Sequence, residues 1–290
     1  MHSLLKKLVA KVCEPYATMP QTKAILSIGS VSYGIVDDSS DIDLALYYDE
    51  LPSDDQLRDA MIANGAEKLN WQLGSREDGG LIDSYTVHGV ECQFAHTTLA
   101  SMERDMDSIL VGLDVDSPFQ KALSGVMAGI PIMGSGLIGQ YQARAANYPS
   151  ELRLAMVKRF LNFQPLWAIE SRMADRDAEL WRRQALVEGA FNLLGVLAGL
   201  NRLYFSTFQF KRMGEFIDHM EFKPDLLSDR IAVVFGGNQG ASQEYRSLVA
   251  EAVALVEEHL PEIDTSSVHA RLNRTVHRWN PETVRAALTN

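Results

Sequence analysis

The sequence predicts an α/β (α+β) domain with a mixed sheet, followed by an all-α helical bundle domain. In the first half, short apolar or alternating segments are interleaved with helical stretches, which is typical of a mixed α and β domain. After about Gly136, apolar residues recur at helical spacing over long stretches instead. The segment GIPIMGSG at 129–136 contains one proline and three glycines. We expect this segment to connect domains at 1–135 and 136–290.

The predicted strands of the first domain lie in three places. Ala24–Ile28 is an apolar run, and Asp41–Tyr48 alternates polar and apolar residues, as a half-buried strand does. A third segment, Tyr85–Phe94, turns at His88–Gly89 and continues as VECQF. Helices are expected at the N-terminus, where the first helix would be amphipathic, and at about 55–65 and 97–110.

The second half shows three long helical patterns, at 151–175, 178–204 and 243–260. Its short run IAVVF at 231–235 fits a strand or a buried helix equally well. Two domains also agree with the length of 290 residues, since roughly 100–200 residues per domain is usual.

The composition is that of an ordinary globular protein, with 46% hydrophobic and 22% charged residues. No apolar run is long enough to span a membrane, and the N-terminus lacks the pattern of a signal peptide.

The formal net charge of −11 argues against a nucleic-acid partner, because non-specific binding needs a basic face. Cys13 and Cys92 fit no disulfide framework. We therefore expect a cytoplasmic protein with no membrane partner.

Asp41 and Asp43 are the first candidate site residues. Residues two apart in a strand point to the same face, about 6.6 Å apart, so Ile42 and Leu44 would point to the core. Two carboxylates on one face repel each other unless a cation lies between them. Because Mg²⁺ prefers carboxylate oxygens together with water and phosphate oxygens, this pair predicts a site for one or two Mg²⁺ ions.

Gly29 and Ser30 directly follow the first predicted strand. Glycine lets the backbone approach a ligand closely, and N–H groups at a strand-to-helix turn bind anions such as phosphate. The hydroxyl of Ser30 can add one donor, and Ser40, just before the two aspartates, could also reach a phosphate. We expect Gly34 to keep the same segment tightly packed.

A third carboxylate is usually needed to complete such a site and to accept a proton, and Glu91 is the candidate. In VECQF, the apolar residues share one face of the strand, whereas Glu91 and Gln93 share the other. If this strand pairs beside Asp41–Tyr48, Glu91 can meet the aspartates across the ladder. Gln93 competes for the position, but a neutral amide is a poor Mg²⁺ ligand and cannot act as a base.

These residues together resemble a known signature. Gly29–Ser30, Gly34 and SDIDL at 40–44 are similar to the G-S, the following G and the D-x-D strand of the DNA polymerase β-like nucleotidyltransferase superfamily. The spacing of twelve residues from Gly29 to Asp41 resembles that of bacterial members. VECQF is similar to the strand that supplies the third carboxylate in aminoglycoside nucleotidyltransferases. With its helical second half, the chain resembles antibiotic nucleotidyltransferases of the aminoglycoside and lincosamide type.

The resemblance implies an Mg²⁺-dependent enzyme that moves a nucleoside monophosphate, in the leading interpretation AMP from ATP, onto a hydroxyl of a small acceptor such as an antibiotic. Asp41, Asp43 and Glu91 would be the catalytic and metal-binding residues. Glu91 would be a metal ligand, a general base or both. Gly29, Ser30 and Ser40 would bind the nucleotide. A cleft between the domains, walled by acids, would suit a polycationic acceptor.

One position departs from the resemblance. Many relatives carry arginine just before the glycine that matches Gly34, where this chain has Tyr33. In the relatives, a basic residue of the helical domain often meets the triphosphate. The resemblance therefore indicates Lys211, with Arg202 and Arg212 nearby, as the remaining nucleotide-binding residue.

Two other functions stay open. One is protein nucleotidylation, as in antitoxin-type members of the superfamily, which are usually about half as long as this chain. The other is a nucleotide-binding regulatory protein without transfer activity, against which the complete set of acids argues. A structural zinc site is not expected, because His88 and His96 flank Glu91 without ligand spacing.

Overall fold

The computed structural model describes residues 2–174, 176–207, 212–236, 240–276 and 279–289. The chain divides into two compact units, Met1–Leu152 and Arg153–Asn290. The first contains a sheet with helices, and the described residues of the second form helices and the segments between them. The predicted order, a mixed α and β domain followed by a helical one, is confirmed.

The first unit is built on a six-stranded sheet with the strand order β3-β4-β5-β2-β1-β6. Its strands are β1 (Thr22–Ile28), β2 (Ile42–Tyr48), β3 (Trp71–Ser75), β4 (Gly80–Val87), β5 (Val90–Thr98) and β6 (Ile130–Met133). Its helices are α1 (His2–Ala17), α2 (Gly29–Tyr33), α3 (Asp54–Ala63), α4 (Leu99–Leu110), α5 (Gln120–Ala128) and α6 (Ser135–Ala146).

The sheet is mixed, as predicted. β2 and β5 run parallel, and the other neighbouring pairs are antiparallel. In the parallel pair, Ile42 lies opposite Cys92 and Asp43 lies opposite Gln93. β4 and β5 form a hairpin whose turn is His88–Gly89. This arrangement places the segments 41–48 and 90–94 side by side, which the prediction of a site between them requires.

Alternation along β2 gives the sheet two different faces. Ile42, Leu44 and Leu46 are fully buried in a core that also contains residues of α1 and α3. Asp43 points to the opposite face and is half-buried. The apolar side chains therefore fix the register of the strand and hold the acidic face outward.

A buried hydrogen-bond network links α1 and the end of α3 to the sheet. The hydroxyls of Tyr16 and Tyr85 lie 2.9 Å apart, and Asn64 Nδ2 donates to the Tyr85 hydroxyl at 2.8 Å. Asn64 Nδ2 also donates to the carbonyl oxygen of Val12 at 3.1 Å. Because these groups are buried, each bond satisfies a donor or acceptor that would otherwise be costly.

His96 lies in the same core, away from the acidic face. Its Nδ1 is 2.9 Å from the Tyr48 hydroxyl, and its Nε2 is 3.4 Å from Asp83 Oδ2. Both His96 and Asp83 are buried. His88, in contrast, lies at the hairpin turn, where its Nε2 is 3.4 Å from Lys11 Nζ. The two histidines thus have separate structural surroundings.

The segment 129–136, expected to connect the domains, belongs to the first unit. β6 pairs with β1 as an edge strand, with Leu26 opposite Pro131. α6 then packs on β1, and the ring of its Tyr141 lies 5.7 Å from the ring of Tyr47. Because α6 buries its apolar residues on this unit, the first compact unit extends to Leu152 and includes the segment 129–136.

The second unit is helical throughout its described elements. These are α8 (Leu166–Ala174), α9 (Glu179–Leu200), α10 (Met213–Asp218), α11 (Leu227–Gly236), α12 (Ala241–His259), α13 (Ser266–Leu272) and α14 (Pro281–Leu288), with α7 (Ser150–Phe160) beginning just before the boundary. α12 packs against α8, α9 and α11.

Two details of the helical unit refine the prediction. The pattern 151–175 is split into α7 and α8, because Pro165 disfavours helix in the residue before it. The run 231–235 is part of α11, which settles its two interpretations in favour of helix. Across the described ranges, helices with the length and apolarity needed to cross a membrane are absent.

Candidate active site

Gly29 places the backbone directly against a carboxylate of β2. It has a φ of +67° and begins α2, immediately after β1. A Cβ added to Gly29 would lie 2.1 Å from Asp43 Oδ2. Only glycine therefore leaves room for this aspartate and adopts the left-handed conformation without strain. The structure gives Gly29 a role in positioning Asp43, and nucleotide binding by its backbone stays a prediction.

Ser30 follows at the next position of α2. Its Oγ is buried and has no hydrogen-bond partner within the part of the chain that the structure describes. A buried hydroxyl without a partner is costly unless a ligand or water bonds to it. The atom thus fits a site in which Ser30 donates to a ligand oxygen.

Gly34 and Ser40 have local structural roles. Gly34 ends α2 in the left-handed conformation, with φ +76°, and among the described residues an added Cβ would meet only His2 Cε1, at 3.8 Å. The expected tight packing at Gly34 is therefore wrong, and glycine is favoured there by the backbone conformation. Ser40 Oγ accepts from the N–H of Asp37 at 2.9 Å and donates to its Oδ1 at 3.1 Å. These bonds close the turn before β2, and phosphate binding by Ser40 stays a prediction.

Asp41 and Asp43 lie at the start of β2, with Asp41 just before its first residue. Both are half-buried. Gln93 lies opposite Asp43 in the register, and its Nε2 donates to Asp41 Oδ2 at 2.9 Å. Gln93, the competitor of Glu91 for this position, therefore contacts Asp41 directly.

Glu91 shares this face of the sheet but makes different contacts. Its Oε1 accepts hydrogen bonds from Trp71 Nε1 at 3.0 Å and from Ser84 Oγ at 2.7 Å. These donors belong to β3 and β4, so the carboxylate is held on the side of β5 away from β2. Across the described ranges, no three His, Cys, Asp or Glu side chains form a group that could hold a metal ion. Metal binding by Glu91 stays a prediction.

The negative charges of the three acids also act on a thiol buried behind them. The pKa of the Cys92 thiol is raised to about 12, first by burial and then by the negative charges of Asp43, Glu91 and Asp41. Cys92 lies between Glu91 and Gln93 on the opposite face of β5. The negative potential of the acids therefore reaches through the strand, and a cation at their face would be favoured.

Trp71, Ser84 and the direct contact of Gln93 were not predicted from the sequence. A signal existed for Ser84: with a two-residue turn at His88–Gly89, the hairpin register brings Ser84 opposite Gln93. No comparable signal existed for Trp71, because its position depends on the pairing of β3 with β4.

The basic residues expected from the helical half have different outcomes. Lys211 lies outside the described residues, so its role stays a prediction. Arg212 forms an ion pair with Glu215 at 3.5 Å, and Arg202 adopts a left-handed conformation with φ +54° after α9. Tyr33, which replaces the arginine of many relatives, is 47% exposed at the end of α2.

Among the known proteins compared with the chain, a likeness is found to solved structures. No family model and no curated protein matches the chain. A solved structure that resembles it is described as a nucleotidyltransferase-like protein from Exiguobacterium sibiricum 255-15. The two share 12% identity with a TM-score of 0.33, and the match covers 88% of this chain and 75% of that chain.

Proposed function

We propose that this protein is an Mg²⁺-dependent nucleotidyltransferase of the DNA polymerase β-like superfamily. It would move a nucleoside monophosphate, AMP from ATP as the first candidate, onto a hydroxyl of a small molecule. The observation that carries the proposal is the convergence of Gly29–Ser30 with Asp41 and Asp43: the carboxylate of Asp43 lies against Gly29, at the end of β1.

The donor set fits magnesium and a triphosphate. Asp41 and Asp43 supply carboxylate oxygens from one face of one strand, and hard oxygen ligands are those that Mg²⁺ takes in nucleotide sites. The unpartnered, buried Oγ of Ser30 supplies a hydrogen-bond donor one residue from the glycine that touches Asp43. Mg²⁺ held by the two aspartates would offset the negative charge of the triphosphate.

The side chains of this chain would then divide the remaining work. Ser30 would donate to a phosphate oxygen, and Gln93 would hold Asp41 in place through its hydrogen bond at 2.9 Å. Glu91 would accept the proton of the acceptor hydroxyl, whose oxygen attacks the α-phosphorus. The bond from the α-phosphorus to the bridging oxygen breaks, and pyrophosphate leaves. Positioning and electrostatics supply most of the rate acceleration in such transfers.

The acceptor is proposed from charge and the resemblance alone. The net charge of −11 is compatible with a cationic, hydroxylated molecule. Aminoglycosides and lincosamides are therefore the first acceptors to test. Other hydroxylated metabolites belong in the same screen, because resistance does not follow from transfer activity.

The test is a pyrophosphate-release screen of the purified protein with Mg²⁺, each nucleoside triphosphate and a panel of hydroxylated acceptors. We expect release with at least one combination. Asp41→Asn together with Asp43→Asn should lower the rate by about 10³-fold or more, since the charges that hold the metal are lost. A double variant as active as the wild type would contradict the metal site.

Controls separate this proposal from the alternatives. Asp49→Asn is the matched control, because Asp49 directly follows β2 and pairs with Lys23 at 2.5 Å; its rate should stay near that of the wild type. Label on a polypeptide would indicate protein nucleotidylation. A rise in melting temperature with Mg²⁺-ATP, but no release with any acceptor, would indicate a binding protein.

Lys211→Ala should raise the triphosphate KM, and an unchanged KM would refute the role of Lys211.

A further inference from the structure

We infer that Trp71 and Ser84 are positioning residues that hold Glu91 by one oxygen and leave its second oxygen for the acceptor hydroxyl. The inference rests on the proposed function and adds two residues to its machinery. It also assigns different roles to the two oxygens of one carboxylate.

The two donors converge on the same atom. Trp71 Nε1 lies 3.0 Å and Ser84 Oγ lies 2.7 Å from Oε1 of Glu91. Oε2 accepts no hydrogen bond from any residue that the structure describes, and Ser84 is fully buried. Both donors therefore occupy Oε1 of the half-buried glutamate. Oε2 keeps its full capacity to accept a hydrogen bond from a substrate.

A third residue orients the serine. Asn70 Nδ2 lies 3.3 Å from Ser84 Oγ, and the N–H of Asn70 donates to the carbonyl oxygen of Ser84 at 2.7 Å. When Asn70 donates to the serine oxygen, the serine proton is left for Glu91. The chain from Asn70 through Ser84 to Glu91 is therefore consistent in its donor and acceptor roles.

The chemistry of the donors matters as much as their geometry. An indole N–H and a hydroxyl are both neutral, so they fix the position of Glu91 without cancelling its charge. An arginine in their place would bind the carboxylate more strongly but would also compete with a cation or with the acceptor proton. Two neutral donors hold the carboxylate ready before the substrate arrives, which is the form of preorganisation that speeds catalysis.

The kinetic test uses two deletions, one rescue and one control. Trp71→Phe removes the indole N–H, and Ser84→Ala removes the hydroxyl. Each should lower kcat by about 10-fold with the triphosphate KM unchanged, which is usual for the loss of an outer partner of a site residue. Ser84→Thr retains the hydroxyl and should recover most of kcat. Ile82→Val, on the same face of β4, is the control, because Ile82 is 40% exposed and its side chain has no polar group that could bond to Asn70, Ser84 or Glu91.

Non-additivity distinguishes positioning from general damage to the fold. In a Glu91→Gln background, Trp71→Phe and Ser84→Ala should cause no further loss of kcat, because they act only through the carboxylate. Losses that multiply with that of Glu91→Gln would overturn the inference. If the wild type transfers and both deletion variants keep its kcat, the inference is overturned and the proposed function stands. No transfer by the wild type would overturn both.

A readout without activity completes the test. The indole N–H resonance of Trp71 can be identified in a ¹H–¹⁵N spectrum by its loss in Trp71→Phe. Glu91→Gln should move this resonance, because its partner loses a negative charge, whereas Ile82→Val should leave it in place. A resonance that Glu91→Gln does not move would overturn the assigned contact.

Discussion

At the scale of single residues, the contact between Gly29 and Asp43 gives the sharpest test of the site geometry. Gly29→Ala should displace the Asp43 carboxylate, since the added Cβ would lie 2.1 Å from Oδ2. We expect transfer to fall by about 10²-fold, as when a catalytic group is misplaced by about 1 Å. The cost in unfolding free energy should be small, about 1–2 kcal/mol for a left-handed alanine.

Gly65→Ala is the matched control for this variant. Gly65 has a φ of +81°, but an added Cβ there would have no atom of the described ranges within 4 Å. Both variants should show a similar loss in urea denaturation, and only Gly29→Ala should lose transfer. Equal rates for the two alanine variants would contradict the role of Gly29 in placing Asp43.

The site was predictable from the sequence to the extent that its contacts are local. Asp41, Asp43 and Glu91 share a face because alternation along a strand fixes direction. Which β5 residue touches the aspartates depends on register, and the structure places Gln93 opposite Asp43. A shift between the two strands cannot be read from either strand alone, so the contact of Gln93 with Asp41 could not be foreseen.

At the scale of secondary-structure elements, α6 decides where the first unit ends. Its Ile138, Tyr141 and Ala145 are buried, and it packs on β1. A fragment of residues 1–152 should therefore unfold cooperatively. A fragment of residues 1–135 lacks these side chains. Burial of Ile138 and of Tyr141 each contributes about 1–3 kcal/mol to the free energy of unfolding, so this fragment should be markedly less stable.

Urea denaturation followed by circular dichroism measures this difference. The substitution Tyr141→Ala in the 1–152 fragment is an intermediate case, because it removes only the ring that meets Tyr47. It should fall between the two fragments in unfolding free energy. Equal stability of the two fragments would show that the unit ends near residue 135 after all.

The elements themselves were predictable where the pattern of burial is regular. β1, β2 and β5 follow from apolar runs or alternation, and α3 and α4 lie close to the expected helical stretches. β6 was not foreseen, because proline and glycine usually indicate a turn, yet Pro131 is tolerated on an edge strand. β3 carries mostly exposed residues, so it offers no periodic signal.

At the scale of the whole molecule, the acidic net charge bears on how a nucleotide could bind. The net charge is −11, and the carboxylates of Asp41, Asp43 and Glu91 lie on one face of the sheet. Such a face attracts cations and repels an unaccompanied triphosphate. Nucleotide binding should therefore depend on Mg²⁺.

The most direct test of nucleotidyl transfer is the fate of the label from ATP carrying ³²P on either the α- or the γ-phosphate. Each is incubated with the protein, Mg²⁺ and an acceptor that gave pyrophosphate release. The proposal predicts that the α-label appears on the acceptor and the γ-label appears in pyrophosphate, and that both products are lost in the variant with Asp41→Asn and Asp43→Asn. Transfer of the γ-label to the acceptor, or the same products from that variant, would contradict it.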